Sequence, residues 1–187
     1  MLQMVFRILL VVLVPTITSA AQQSHDPCGK SALPNLVREV LARNFPSWRP
    51  LRMEDLLKDD QELWSQAKPD LCPGFAAGHF ESMKHLSYAV ILVGSDKAKG
   101  YKLVALTADA GNRYKTNVLS EEKRNGHEKY PLYPVVHSLP PGEYRDFYDS
   151  SRKIQTQLDA IALERLEAWM TMFYWEKGRF NKLRLSD

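Results

Sequence analysis

Two apolar runs, SYAVILVG (87–94) and YKLVALTADA (101–110), stand on either side of the polar stretch SDKAKG (95–100). Aliphatic and aromatic residues dominate both runs, and turn chemistry separates them, which is the pattern of an antiparallel hairpin. A third strand is predicted in GNRYKTNVLS (111–120), after a turn at 109–112, so the centre of the chain is expected to form a meander. The next piece, KYPLYPVVHSLPPGEY (129–144), contains Pro131, Pro134, Pro140 and Pro141. Proline cannot donate to a ladder, so this piece is expected to be an edge strand or an extended loop.

The C-terminal quarter carries two periods at once. LDAIALERLEAWMTMFYW (158–175) has helical spacing at Ala162, Leu166, Trp169, Met170 and Phe173. It ends in β-prone residues, and YWEKGRFNKLRL (174–185) has the form of a tight hairpin turning at Lys177 and Gly178. Leu183 and Leu185 alternate with charged residues, as in a half-exposed strand. Two strands and a terminal hairpin are therefore predicted in place of one long helix.

Upstream, SALPNLVREVLARNF (31–45) predicts a helix capped by Ser31, with Pro34 in its first turn. Leu33, Leu36, Val37, Val40 and Leu41 make its apolar stripe. SWRPLRM (47–53) is expected to be briefly extended. DDQELWSQAK (59–68) predicts a short second helix, capped by Asp59 or Asp60, with Leu63, Trp64 and Ala67 inward and Pro69 as its stop. The expected fold class is α+β: an N-terminal helix, or two, packed on a curved antiparallel sheet of about five to seven strands.

Residues 1–21 read as a secretory signal peptide and 22–187 as a single α+β domain. Arg7 is followed by ILLVVLV (8–14) and then by small residues, with cleavage expected after Ala20 or Ala21. The apolar core is much shorter than the roughly 20 residues a spanning helix needs, so no stable membrane insertion is expected after cleavage. Export places the protein in the periplasm or outside the cell. In such a compartment the two cysteines, Cys28 and Cys72, are expected to form a disulfide rather than a catalytic thiol. The formal charge is +3; without Arg7, 24 basic residues face 22 acidic ones. That balance, with signs mixed as in SEEKRNGHEK (120–129), argues against a nucleic-acid partner.

CPGFAAGHFESMKHLSYAVILV (72–93) resembles one unit of the FG-GAP-type repeat of exported and surface proteins. Gly78 and Phe80 match the start of that unit, and Tyr88 and Ala89 match its entry to a strand. The resemblance implies a hairpin. In the family the loop's carboxylates and carbonyls coordinate calcium. Here His79 stands where the first Asp is expected, Met83 and Ser87 replace further acidic positions, and Ser82 and Lys84 replace loop glycines; Glu81 alone is conservative. The resemblance therefore implies the shape of the unit without its calcium site. The wider layout is also similar to small exported bacterial proteins that combine a Cys-Pro-Gly turn, a meander and a terminal Tyr-Trp-x-x-Gly-x-Phe hairpin, and that likeness brings no activity with it.

His79, Glu81 and His85 are of the right types for zinc, but their H-x-E-x3-H spacing is not that of a helical H-E-x-x-H. No metal and no cofactor are expected. Glu143, Asp146 and Asp149, beside Tyr144 and Tyr148, are carboxylates close in sequence, as glycoside hydrolysis requires in space; a solvated loop is the simpler reading. Trp169, Phe173 and Trp175 are expected in the core, or on a binding surface if the hairpin exposes them. The sequence thus favours an exported, non-catalytic binding module, inhibitor- or immunity-like, for a protein or envelope-polymer partner. Its binding loops are expected at 75–86 and 121–141, with Phe75, His79, Glu81, His85, Tyr130 and Tyr133 as contact residues. The alternative is a hydrolase of cell-envelope polymers using His79, Glu81 and His85 or the carboxylates near Tyr144.

Overall fold

A computed structural model describes residues 27–29, 32–94, 100–109, 111, 113–123 and 132–187. The expected signal peptide, Ser31, His127 and Tyr130 lie outside the described residues. Strand β3 (Ser87–Gly94) is the centre of the architecture. From Ser87 to Val93 it is buried at every position, as expected of a strand covered on both faces. Its antiparallel partner β4 (Tyr101–Ala108) is nearly as apolar, and β5 (Tyr114–Glu122) pairs with β4 to complete the predicted meander. Two short strands, β1 (Trp48–Pro50) and β2 (Phe75–Gly78), lie end to end along the other edge of β3.

One face of this five-stranded sheet is covered by helix α1 (Asn35–Asn44). Val37 and Leu41, with Leu33 just before the helix, pack on Tyr88, Val90, Leu92, Val104 and Leu106. Leu36, expected in the same stripe, is 45% exposed, because it falls off the Leu33–Val37–Leu41 line that faces the sheet. The residue before the helix is Pro34, with no side-chain cap. Pro34 therefore stands just outside the helix, at its N-cap, and not in its first turn.

The other face meets a second sheet, in the order β11 (Arg179–Ser186), β10 (Trp169–Glu176), β9 (Ala160–Arg165), β6 (Val135–Leu139). The β-reading of 158–175 holds: β9 and β10 pair in antiparallel register from Trp169↔Arg165 to Phe173↔Ile161. Beyond them, β10 and β11 form the terminal hairpin, turning at Lys177 and Gly178, both with positive φ. The proline-rich segment supplies β6, an edge strand of its sheet lying between Pro134 and Pro140. Inner-face residues of both sheets, among them Ile91, Leu103, Ala105, Val135, Ile161, Leu163 and Phe173, form one core. A third, two-stranded sheet, β7 (Gly142–Arg145) with β8 (Lys153–Thr156), lends Tyr144 and Ile154 to the outer face of the second sheet, over Met172, Tyr174 and Leu183.

Among the described residues, eleven strands in three sheets exceed the five to seven expected in one. Four of them (β1, β2, β7 and β8) are only three or four residues long, too short to show a period. The two large sheets are joined at one seam, where the amide of Val136 in β6 donates to Pro73 O, 2.9 Å away, just before β2. The next residue, Gly74, is required where the ends of β1 and β2 meet beside Ile91 of β3. A Cβ there would lie 1.9 Å from the carbonyl oxygen of Leu51, far inside van der Waals contact.

Helix α2 (Lys58–Ala67) closes one end of the core with Trp64, whose Nε1–H donates to Leu71 O at 2.7 Å. Its N-cap is Leu57 rather than Asp59 or Asp60, which occupy the first turn, where their charges favour the positive end of the helix. Ala67, the last residue of the helix, is exposed, not inward. Among the described residues no helix is long and apolar enough to cross a membrane.

Cys28 and Cys72 are disulfide-bonded, with their Cα atoms 4.9 Å apart and a sequence separation of 44. The bond ties the chain ahead of α1 to the turn ahead of β2. Replacing both cysteines with serine is expected to lower stability by about 4 kcal/mol, the chain-entropy value for a loop of this length, measured as a fall in the urea midpoint. A second expectation concerns acid. His137, buried in β6, donates from Nε2 to Glu164 Oε2 of β9 at 3.1 Å. That hydrogen bond, and then the charges of His137 and Lys68, hold the Glu164 carboxyl below its ordinary range against the opposing effect of burial. A lowered folded pKa contributes stability above the unfolded value of about 4.3, and that stability is lost as pH falls through the folded pKa. Glu164→Gln should therefore lower the urea midpoint at pH 7 and lose less of it than the parent below about pH 4.

Candidate functional site

The two large sheets meet at the β2–β6 seam and part on the opposite side, between β5 and β11. A cleft of about 520 Å³ opens there, lined by residues of β5, β9, β10, β11 and the β7–β8 connection. Its geometry follows from register. In β10, Trp169, Thr171 and Phe173 share a face, opposite Arg165, Leu163 and Ile161 of β9. On the next strand Thr171 pairs with Arg184 and Phe173 with Lys182. Paired residues point to the same face of a sheet. Lys182 and Arg184 therefore point from the edge strand β11 into the space between the sheets, where the rest of that face carries core residues.

The Arg184 guanidinium lies 5.0 Å from the centre of the Trp169 ring, a cation–π arrangement. Its Nη1 donates to Thr171 Oγ1 at 3.3 Å and its Nη2 to Asp187 Oδ1 at 2.7 Å. Its Nε is buried and has no acceptor among the described residues. The Asp187 carboxyl is held below its ordinary range by the hydrogen bond from Arg184 and then by one from the Tyr148 hydroxyl. Across the cleft Asp146 accepts from Arg152 Nη1 at 3.2 Å and from the Tyr148 amide at 3.0 Å. Lys182 is exposed and makes no ion pair among the described residues. The lining thus holds three cations against one carboxylate, and that carboxylate is already paired. Leu119, Leu163, Trp169 and Phe173 supply the apolar surface, and Tyr148, 70% exposed and edge-on to Phe147, stands at the rim.

Residues expected from sequence to bind are placed elsewhere. The loop after β2 is pinned into the fold. Phe80 is fully buried in the core, and the His79 amide donates to Asp159 Oδ2 at 2.7 Å. A Cβ on Gly78 would lie 2.7 Å from the Phe80 ring, so this glycine is needed for the ring to fold back under the strand. His79, Glu81 and His85 are each half-buried, and no group of three His, Cys, Asp or Glu among the described residues could hold a metal ion. His79 and Glu81 lie beyond the end of β2, so no strand holds the two side chains on one face. Tyr133 is 7% exposed and belongs to the core, so its ring offers no contact surface; Phe75 packs partly against the α1 cluster.

The carboxylates near Tyr144 serve the small hairpin. Glu143 pairs with Lys153 and Arg145, and Asp149 accepts from Ser151. Only Asp146 reaches the cleft. Phe173 and Trp169 are partly core and partly cleft, while Trp175 stacks edge-on with Phe180 near the end of the hairpin. Sequence reasoning missed Arg152, Lys182 and Arg184. The charged alternation in FNKLRL was visible, but which face it occupies depends on pairing with β10. Protein-family models, curated proteins and solved structures offer no match to the chain.

Phe80→Ala is expected to cost about 3–5 kcal/mol in urea unfolding, as for a fully buried phenylalanine. Glu81→Gln and His85→Ala should each change stability by no more than about 0.5 kcal/mol. The contrast would mark the loop as a structural anchor around one ring.

Proposed function

We propose that the protein is an exported, non-catalytic binding module for a macromolecular partner, and that the partner seats in the cleft between β5 and β11. One observation carries this reading: the cleft combines apolar surface from both sheets with three cations, one of them free of any ion pair among the described residues. Tryptophan, tyrosine and arginine are the residues that most often dominate the energy of protein contacts, and Trp169, Tyr148, Arg152 and Arg184 bring all three types to one place. Apart from the β7–β8 connection, the walls are strands, which hold side chains more rigidly than loops do. Export is supported by the leader-like sequence of residues 1–21 and by the Cys28–Cys72 disulfide, a bond that persists in oxidising compartments. A partner in the cell envelope or outside the cell follows from that location.

The charge-reversal Lys182→Glu tests the reading. Lys182 is exposed, so the change should leave the thermal midpoint nearly unaltered. Capture of a stoichiometric partner from the source's envelope or extracellular extract should be lost in this variant and kept in Lys115→Glu, on an exposed part of β5 away from the cleft lining. Equal capture by both variants would move the binding surface elsewhere. Turnover of an envelope polymer by the purified protein would replace the binding module with an enzyme.

A further inference from the structure

We propose that the cleft receives an extended segment of a protein partner, which adds as a strand to the free edge of β5 and sets carboxylates against Lys182 and Arg184. This deepens the binding-module reading and rests on it. The two edges that flank the cleft are unequal. The edge of β11 is already engaged, because the Phe147 amide donates to Arg184 O at 2.8 Å. β5 ends the five-stranded sheet, and no strand among the described residues pairs with its outer edge. An unpaired edge presents a row of amide and carbonyl groups that can template another strand. The middle of this one, Thr116–Asn117–Val118–Leu119–Ser120, carries no charge that would repel it.

A bulge adds to this. The pairing of β5 with β4 shifts between Val104↔Val118 and Leu103↔Ser120, which leaves Leu119 as the extra residue. Leu119 turns toward the core and the cleft, while Val118 remains 48% exposed on the other face. An added strand would find an apolar neighbour on each side at this point. Side chains two apart on a strand share a face at a spacing of roughly 7 Å, and Lys182 and Arg184 are two apart on β11. Alternate residues of the incoming strand would therefore face the two cations in turn. The charge they meet favours Asp or Glu, because Asp146 is taken by Arg152 and Asp187 by Arg184 Nη2, which leaves Lys182 without an ion-pair partner among the described residues. The Arg184 Nε, buried and without an acceptor, is a further donor on the same wall.

The test uses the purified protein and an N-acetylated, C-amidated octapeptide of alternating Glu and Val. Controls are the Lys–Val analogue, a Glu–Val analogue N-methylated at alternate amides, and oligogalacturonate, an acidic polymer without a peptide backbone. The expected result is saturable binding of the Glu–Val peptide, read by tryptophan fluorescence, with slowed amide exchange within β5. Lys182→Ala should weaken it about tenfold and Lys182→Arg should restore it. Equal binding of the N-methylated peptide would overturn strand addition, and equal binding of the Lys–Val peptide would overturn carboxylate recognition. Binding of oligogalacturonate alone would overturn the protein partner and keep the cleft as a site. Failure of every probe would overturn this proposal, whereas the capture experiment with Lys182→Glu judges the cleft itself. Concentration-dependent dimerisation that protects β5 without peptide would assign the edge to a second copy of the chain.

Discussion

The structure depends on a strand that has no polar face. From Ser87 to Val93, β3 is buried throughout, so neither side of the sheet through it can meet water. One side takes the Val37–Leu41 face of α1 and the other takes the second sheet. Burying a large aliphatic side chain stabilises by about 1.5–3 kcal/mol, and Val90, Ile91, Leu92 and Val93 are four in a row. Their sum exceeds the about 4 kcal/mol of the disulfide. The Cys28–Cys72 bond is thus a tie that fixes where the N-terminal segment lies, on a fold that burial has already specified.

Covering both faces also decides where the cleft can be. The sheets are held together on the β2–β6 side by the Val136–Pro73 hydrogen bond. On the β5–β11 side no comparable bond joins the sheets among the described residues. There the inner face changes from Leu163 and Phe173 to Lys182 and Arg184 within two strands. A cation facing the space between two sheets cannot be sealed in without a partner, because desolvating it costs several kcal/mol. The charges on β11 therefore keep the seam hydrated, and the core ends where they begin.

The legible parts of the sequence were those with a long period. The meander, the terminal hairpin, the α1 stripe through Val37 and Leu41, and the cysteine pair could all be read from residue pattern and compartment. The short strands could not: three residues at Trp48–Pro50 or four at Gly142–Arg145 leave no alternation to detect. The cleft was hidden for a different reason. Lys182 and Arg184 alternate with leucines, which says only that one face is charged. That the charged face points inward is set by the register Thr171↔Arg184 and Phe173↔Lys182, and register across a hairpin is set by its turn and by the core that the other strands build. The loop at 79–86 shows the converse. Its histidines and glutamate drew attention because of their chemistry, while the residue that fixes the loop, Phe80, looked like any other apolar side chain.

Inward charges on an edge strand have a protective use, since they discourage that strand from pairing with another copy. Lys182 and Arg184 serve β11 in this way. That use explains two charges on β11; it does not call for the Trp169 ring beneath Arg184, for a third cation brought from the β7–β8 connection, or for a facing strand left without the same protection. β5 is uncharged from Thr116 to Ser120 and lacks a cover among the described residues, although it is the longest strand of its sheet. A fold that charges one edge of a gap and leaves the other bare discriminates between visitors. It repels a basic or a wholly apolar strand and accepts an acidic one, because only the acidic strand neutralises Lys182, which Asp146 and Asp187, paired with Arg152 and Arg184, leave without an ion pair among the described residues.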